Sequence, residues 1–190
     1  LLMIYLSDQS LGIVLVPKNC STAIRKLFNN HYPGSRQIWN GDLDHIGVQE
    51  AIDLKLVPDS TQFLGIIRCP WERQLSLYLY RHRQRVYKER CTPDHFRQLA
   101  KTGCIVDHPW QMRLQRDYLV YNGELRAKPV LYESANEQFN SYGSLQKVNQ
   151  ASDRATSTLI NIFYDTPTRE AVAHYWAPDF QLREELLKKV

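Results

Sequence analysis

Two short stretches place basic and hydroxyl side chains where an anion could be held. The first is VPKNCSTAI, Val16 to Ile24, in which Lys18 is followed by Ser21 and Thr22. The second is IIRCPWERQLSLY, Ile66 to Tyr78, in which Arg68 is followed by Ser76. A lysine offers a compact charge to a phosphate oxygen. An arginine fork grips two oxygens at once, and hydroxyls donate to others. Each stretch follows an apolar, β-branched run and leads into a helical pattern. A loop between a buried strand and a helix N-terminus aims main-chain N–H groups and the positive end of the helix dipole at its occupant. The Walker loop reads G-x-x-x-x-G-K-[ST]. Here the lysine comes first and the glycines are missing, which argues against an ordinary ATPase or GTPase loop. Each stretch also has a plainer reading. Ser21 can cap a helix beside a solvated lysine, Arg68 can form a surface ion pair, and Ser76 can bond to its own helix.

The elements that position these residues follow from the hydrophobic pattern. Leu11–Val16 and Gln62–Arg68 are apolar runs typical of strands buried on both faces, and Pro129–Ser134 is a third short strand. A helix follows Ser21, another runs over Val48–Leu54, and a long one over Trp71–Arg90. Further helices are expected from Pro93 to Gly103, over Met112–Tyr121 and over Glu137–Tyr142. The last two are Thr168–Trp176 and Gln181–Lys189, separated by the tripeptide APD. His31–Asp42 and Lys147–Thr158 read as loops. Strands alternating with helices predict an α/β layer with a mainly parallel sheet, whose ligand crevice lies at the strand C-termini.

Composition narrows the class. The 190 residues suit one domain over residues 1–190 with a substantial core. Apolar residues are 43% and charged residues 23%, ordinary for a soluble globular chain. No apolar run approaches the ~20 residues of a membrane span, and the opening LLMIYL lacks the basic flank of a secretory signal. The net charge of +4 suits an anionic ligand without singling out nucleic acid. Cys20, Cys69, Cys91 and Cys104 are not spaced as a disulfide framework, which points to a reducing, cytoplasmic compartment.

Taken together, the two stretches resemble the paired signatures of the sulfotransferase family that uses 3′-phosphoadenosine 5′-phosphosulfate (PAPS). VPKNCSTAI is similar to the 5′-phosphosulfate loop, commonly PKTGSTS or PKTASTS. IIRCPWERQLSLY is similar to the 3′-phosphate motif VRNPWDRLVSAY, with Arg68 and Ser76 in register. Downstream, DHPWQ (Asp107–Gln111) resembles an H-x-x-Q segment, PVLYESANEQF the strand that carries a ryEnl…F phrase, KVNQAS the hlNkS loop that covers the nucleotide, and HYWAPDFQL the terminal Y-x-x-D-F element. The likeness spans nearly the whole chain and is nearest to the carbohydrate branch and its soluble bacterial and viral relatives. Asn19, Cys20 and Cys69 depart from the common residues at their positions.

The resemblance implies a P-loop-NTPase-like three-layer sandwich, with a central, mainly parallel sheet between helices. It also implies transfer of a sulfuryl group from PAPS to a hydroxyl, on a carbohydrate, leaving 3′-phosphoadenosine 5′-phosphate and needing no metal. Pro17, Lys18, Asn19, Cys20, Ser21 and Thr22 would hold the 5′-phosphosulfate. Lys18 would also stabilise charge on the leaving phosphate. Arg68 and Ser76 would take the 3′-phosphate. Lys147, Asn149 and Arg154 would lie in the covering loop. His45 is the expected base, with Asp42, Asp44 and Glu50 as rivals. His45 and His108 would line the acceptor cleft. The partner expected is a glycan or other small hydroxyl compound, with no nucleic acid and no stable membrane insertion. Likeness to anchored relatives also leaves open a Golgi-luminal catalytic domain whose anchor has been removed. Two other classes fit the residues: a kinase-like phosphotransferase, and a nucleotide-binding module without catalysis. Cys91/His95 and Cys104/His108 share an i, i+4 spacing that could suit zinc, but Pro93 and Pro109 interrupt it. The basic run Arg81–Arg90 reads as a solvated helix face able to attract an acidic glycan.

Overall fold

The computed structural model describes residues 3–32, 34–38, 45–83, 91–106, 109–143, 145 and 158–189. Five strands form the central sheet: β1 (Met3–Leu6), β2 (Leu11–Val14), β3 (Ser35–Ile38), β4 (Gln62–Ile67) and β7 (Ala127–Leu131). A separate hairpin pairs β5 (Val120–Tyr121) with β6 (Glu124–Leu125). The order across the sheet is β3-β1-β2-β4-β7. The β2–β4 and β4–β7 pairings are parallel, whereas β1–β2 and β1–β3 are antiparallel. The expectation of a mainly parallel sheet is therefore corrected to a mixed one.

The reason is local. The turn through Ser7–Ser10 joins β1 directly to β2 and is far too short for a parallel crossover. β3 falls inside the stretch expected to be a loop. It is an edge strand with polar residues Ser35, Arg36 and Gln37 and a single buried side chain, Ile38, so it lacks the alternation that marks a strand in sequence.

Strand side chains alternate between two cores. On one face, Ile4, Leu6, Ile13 and Ile66 pack against Ile24 and Phe28 of α1 (Ser21–His31). On the other, Val14, Val16 and Ile67 pack against Val48 and Ile52 of α2 (Val48–Asp53) and against Leu119. A third cluster joins α3 (Pro70–Arg83), α4 (Pro93–Lys101) and α7 (Thr166–Tyr175) through Tyr78, Phe96 and Val172. The remaining labelled helices are α5 (Pro109–Met112), α6 (Ala135–Gln138) and α8 (Ala177–Leu187), and residues 158–163 are also helical.

Several expected elements shift. The helix predicted over Met112–Tyr121 is replaced by the end of α5, a 3₁₀ turn at Arg116–Tyr118 and β5. The Asp179 carboxylate takes the N–H groups of Gln115 and Arg116, both at 3.0 Å, in place of an α-helical ladder. The strand expected at Pro129–Ser134 begins at Ala127 and ends at Leu131, giving way to a 3₁₀ turn at Tyr132–Ser134. APD does not separate the last two helices. It starts α8, with Pro178 in the first turn, where its missing N–H costs nothing.

Phe28 is fully buried and meets the rings of Tyr32, Phe139 and Tyr142 at centroid distances of 6.1, 6.2 and 5.2 Å. Phe28→Ala is expected to lower unfolding free energy by about 3–5 kcal/mol, measured by urea denaturation. A loss under about 1 kcal/mol would mean that α1 is not anchored through this ring.

Candidate functional site

The chain leaves β2 and turns through Pro17–Cys20 into α1. Lys18 and Cys20 both take left-handed backbone angles, φ 67° and φ 60°. Such angles strain any residue other than glycine and collect where a loop is shaped for a ligand. Cys20 is also the N-cap of α1, so the reading in which Ser21 caps this helix is corrected: Ser21 is its first helical residue. A thiol is a poor cap, and the first turn carries no acidic side chain. The positive end of the α1 dipole is thus left uncompensated by its own first turn.

What holds the turn is a buried polar network. The Asn19 side chain is buried and donates to Ile66 O at 2.7 Å and to Gln115 Oε1 at 2.6 Å. Gln115 also clasps the main chain of Arg68, accepting from its N–H at 2.9 Å and donating to its carbonyl at 3.0 Å. Arg73, fully buried on α3, donates to Pro17 O at 3.3 Å, Gln111 O at 3.0 Å and Arg113 O at 3.1 Å. Burial pulls the Arg73 guanidinium below its ordinary range, and Asp179 opposes that pull. Burial likewise pushes Asp179 up, opposed by Arg73 and by the two N–H groups it accepts.

Beside the turn lies a cavity of about 340 Å³. Lys18, Ser21, Thr22 and Arg25 line it on the loop and α1 side, with Pro17 and Leu15 at its base. His45, Leu77, Tyr80 and Gln111 complete the wall. Among the described residues that line it, Lys18 and Arg25 carry positive charge, His45 and Tyr80 are the other titratable side chains, and no carboxylate is present, so the wall favours an anion. The Lys18 ammonium rests over the Tyr80 ring at 4.2 Å. His45 Nδ1 bonds Leu15 O at 2.5 Å. A carbonyl can only accept, so Nδ1 carries the proton and Nε2 is the basic nitrogen of the neutral ring.

Pro17, Lys18, Ser21, Thr22 and His45 therefore meet around one cavity. Asn19 does not line it, because its side chain ties the turn to β4 from behind, and Cys20 is spent on the bend. Arg68 is only 5% exposed and lies behind the loop. It donates to Glu72 Oε2 at 3.1 Å and to Lys18 O at 3.3 Å, and stacks on Tyr132 at 4.6 Å. Neither Arg68 nor Ser76 lines this cavity. Of the rival bases, Glu50 pairs with Arg113 and accepts from Gly47 N–H at 2.9 Å. Asp42, Asp44, His108, Lys147, Asn149 and Arg154 lie outside the described residues. Cys91 and His95 flank Tyr78, whose hydroxyl meets His95 Nδ1 at 3.2 Å. No group of three potential metal ligands converges among the described residues.

Arg25, Tyr80 and Arg73 escaped the sequence reading, and Gln111 entered it only as the last residue of the H-x-x-Q-like segment, with no role. Arg25 could have been found, since it stands four residues after Ser21 on the same helix face. Arg73 carries no such signal. No family model, characterised protein or solved structure matches the chain. Among the described residues, no helix is long and apolar enough to cross a membrane.

Arg73→Met would take the donor from the carbonyls of Pro17, Gln111 and Arg113 and remove the cation that opposes the rise of Asp179. It is expected to cost about 3–5 kcal/mol in urea unfolding. The pH dependence has a definite sign. Asp179 is raised in the folded state, so its favourable contribution is present below the ordinary carboxylate value of 3.8 and is lost as pH rises through the folded value. Without Arg73 the folded value climbs further. The stability deficit of Arg73→Met should therefore widen as pH rises from 3.8 towards neutrality; a deficit flat over that range would remove Asp179 as the partner.

Proposed function

We propose that this chain is a PAPS-dependent sulfotransferase acting on an acceptor hydroxyl, on a carbohydrate, with a P-loop-like arrangement of the β2–α1 unit. The observation that carries the reading is the cavity at the start of α1, where Lys18, Ser21, Thr22 and Arg25 face the same space as His45. Its donor set suits the phosphosulfate of PAPS: a helix start whose first turn carries no acidic side chain, two cationic side chains and two hydroxyls. Bound PAPS would supply an activated sulfuryl group with a phosphate leaving group. Arg68 and Ser76 are assigned the 3′-phosphate by resemblance alone, and Arg68 would have to exchange Glu72 for it.

The chain's own part is positioning and charge. Lys18 places an ammonium at the loop mouth, where negative charge on a leaving phosphate oxygen would develop. The partial charge of the α1 N-terminus adds to it. His45, oriented through Leu15 O, can receive the proton of the acceptor hydroxyl at Nε2. Leu15, Leu77 and Tyr80 form the apolar part of the wall, against which the acceptor's carbon skeleton can rest.

Thermal shift tests the nucleotide. At about 100 times its Kd, 3′,5′-ADP should stabilise the protein by ~2.7 kcal/mol, with ATP giving less. Protection by ATP and none by 3′,5′-ADP would favour a kinase-like phosphotransferase instead. Turnover tests the roles. With labelled PAPS and a panel of oligosaccharide acceptors, Lys18→Ala should lower the rate by about 10²–10³-fold. His45→Ala should lower it by about 10²–10⁴-fold. A near-normal rate for His45→Ala would reject it as the base, and nucleotide binding without turnover on any acceptor would leave a binding module.

A further inference from the structure

We propose that Gln111 is a specificity residue of this cavity, its side-chain oxygen accepting a hydrogen bond from a hydroxyl or amine of the sulfuryl acceptor. The proposal rests on the transferase reading above. Gln111 is 5% exposed and lines the cavity opposite the Lys18 loop, and among the described residues no donor reaches its Oε1. A buried amide oxygen without a donor is costly, and native structures keep few of them without a purpose. The main chain of Gln111 is held firmly. Its carbonyl accepts from Arg73 at 3.0 Å, and the same guanidinium donates to Pro17 O at 3.3 Å. One buried cation thus sets the distance between the Lys18 loop and Gln111.

The chemistry of the wall divides the ligand. Lys18 and Arg25 are pure donors and suit anionic oxygens. An amide oxygen would repel an anion and suits a neutral donor group. The terminal torsion of a glutamine is broad, so a modest rotation presents Oε1 to the cavity without moving the anchored backbone. Such a bond discriminates between ligands, because one lacking the donor leaves the oxygen buried and unpaired. The class of acceptor that fits is a polyol with a hydroxyl or amine beside the one that is sulfated.

The test uses Gln111→Met, which fills the same space without the amide. Calorimetric titrations would use chitotetraose and a heparin tetrasaccharide, each with saturating 3′,5′-ADP and again without nucleotide. The expected pattern has three parts. The ligand-free variant melts at a higher temperature than wild type, because an unsatisfied buried group is gone. The affinity for 3′,5′-ADP stays within about twofold. Tetrasaccharide binding weakens by about tenfold. Gln111→Asn, which keeps the amide but withdraws it, should weaken the tetrasaccharide alike. A lower melting temperature with unchanged tetrasaccharide affinity would make Gln111 a purely structural residue and overturn the proposal. Equal weakening of 3′,5′-ADP would reassign the oxygen to the nucleotide, and failure of wild type to bind either tetrasaccharide would also overturn it. A wild type that ignores 3′,5′-ADP would sink the PAPS reading, while the nucleotide-free titrations still decide Gln111.

Discussion

A fully buried arginine with no room to reach water must find acceptors inside the protein, and Arg73 finds them on the main chains of Pro17, Gln111 and Arg113. Desolvating a guanidinium is expensive, so each of those carbonyls is held where the charge needs it. Asp179 supplies the opposing charge, and its two oxygens fix the N–H groups of Gln115 and Arg116. Gln115 then holds Asn19 and the main chain of Arg68. Residues far apart in the chain are bound into one polar lattice beneath the turn that follows β2.

This lattice explains how a turn without glycines can carry left-handed angles at Lys18 and Cys20. The strain is over-determined by the bonds to Pro17 O and from the Asn19 side chain, so the loop cannot relax to a commoner shape. Its consequence lies on the other side. The bend presents Lys18 and the start of α1 to the cavity that His45 and Gln111 share. Arg73 and Asp179 are charges behind the loop, and Lys18 and Arg25 face the cavity in front of it.

Much of the architecture could be read from the pattern. The runs at Leu11–Val16 and Gln62–Arg68 gave parallel strands β2 and β4, each leading into a helix, as continuous β-branched burial implies. β3 was illegible because an edge strand need bury little, and only Ile38 of it does. The segment after Met112 was misread because its helical periodicity is real, yet Asp179 takes main-chain N–H groups that a helix would have used. Arg68 is expected to hold a 3′-phosphate; in the structure its side chain bonds Glu72 and Lys18 O, pairings that the sequence does not signal.

By itself the sequence determined what the front of the loop is made of: a lysine, two hydroxyls and a helix start, all set by residues close together in the chain. Local spacing and backbone chemistry suffice for that. Only the tertiary structure decided which distant groups join them. His45, Gln111 and Tyr80 reach the cavity, while Asn19 and Arg73 lie beneath it and Arg68 stands outside its lining. The physical reason is that a buried charge chooses its partners by proximity in space, and desolvation makes that choice nearly exclusive.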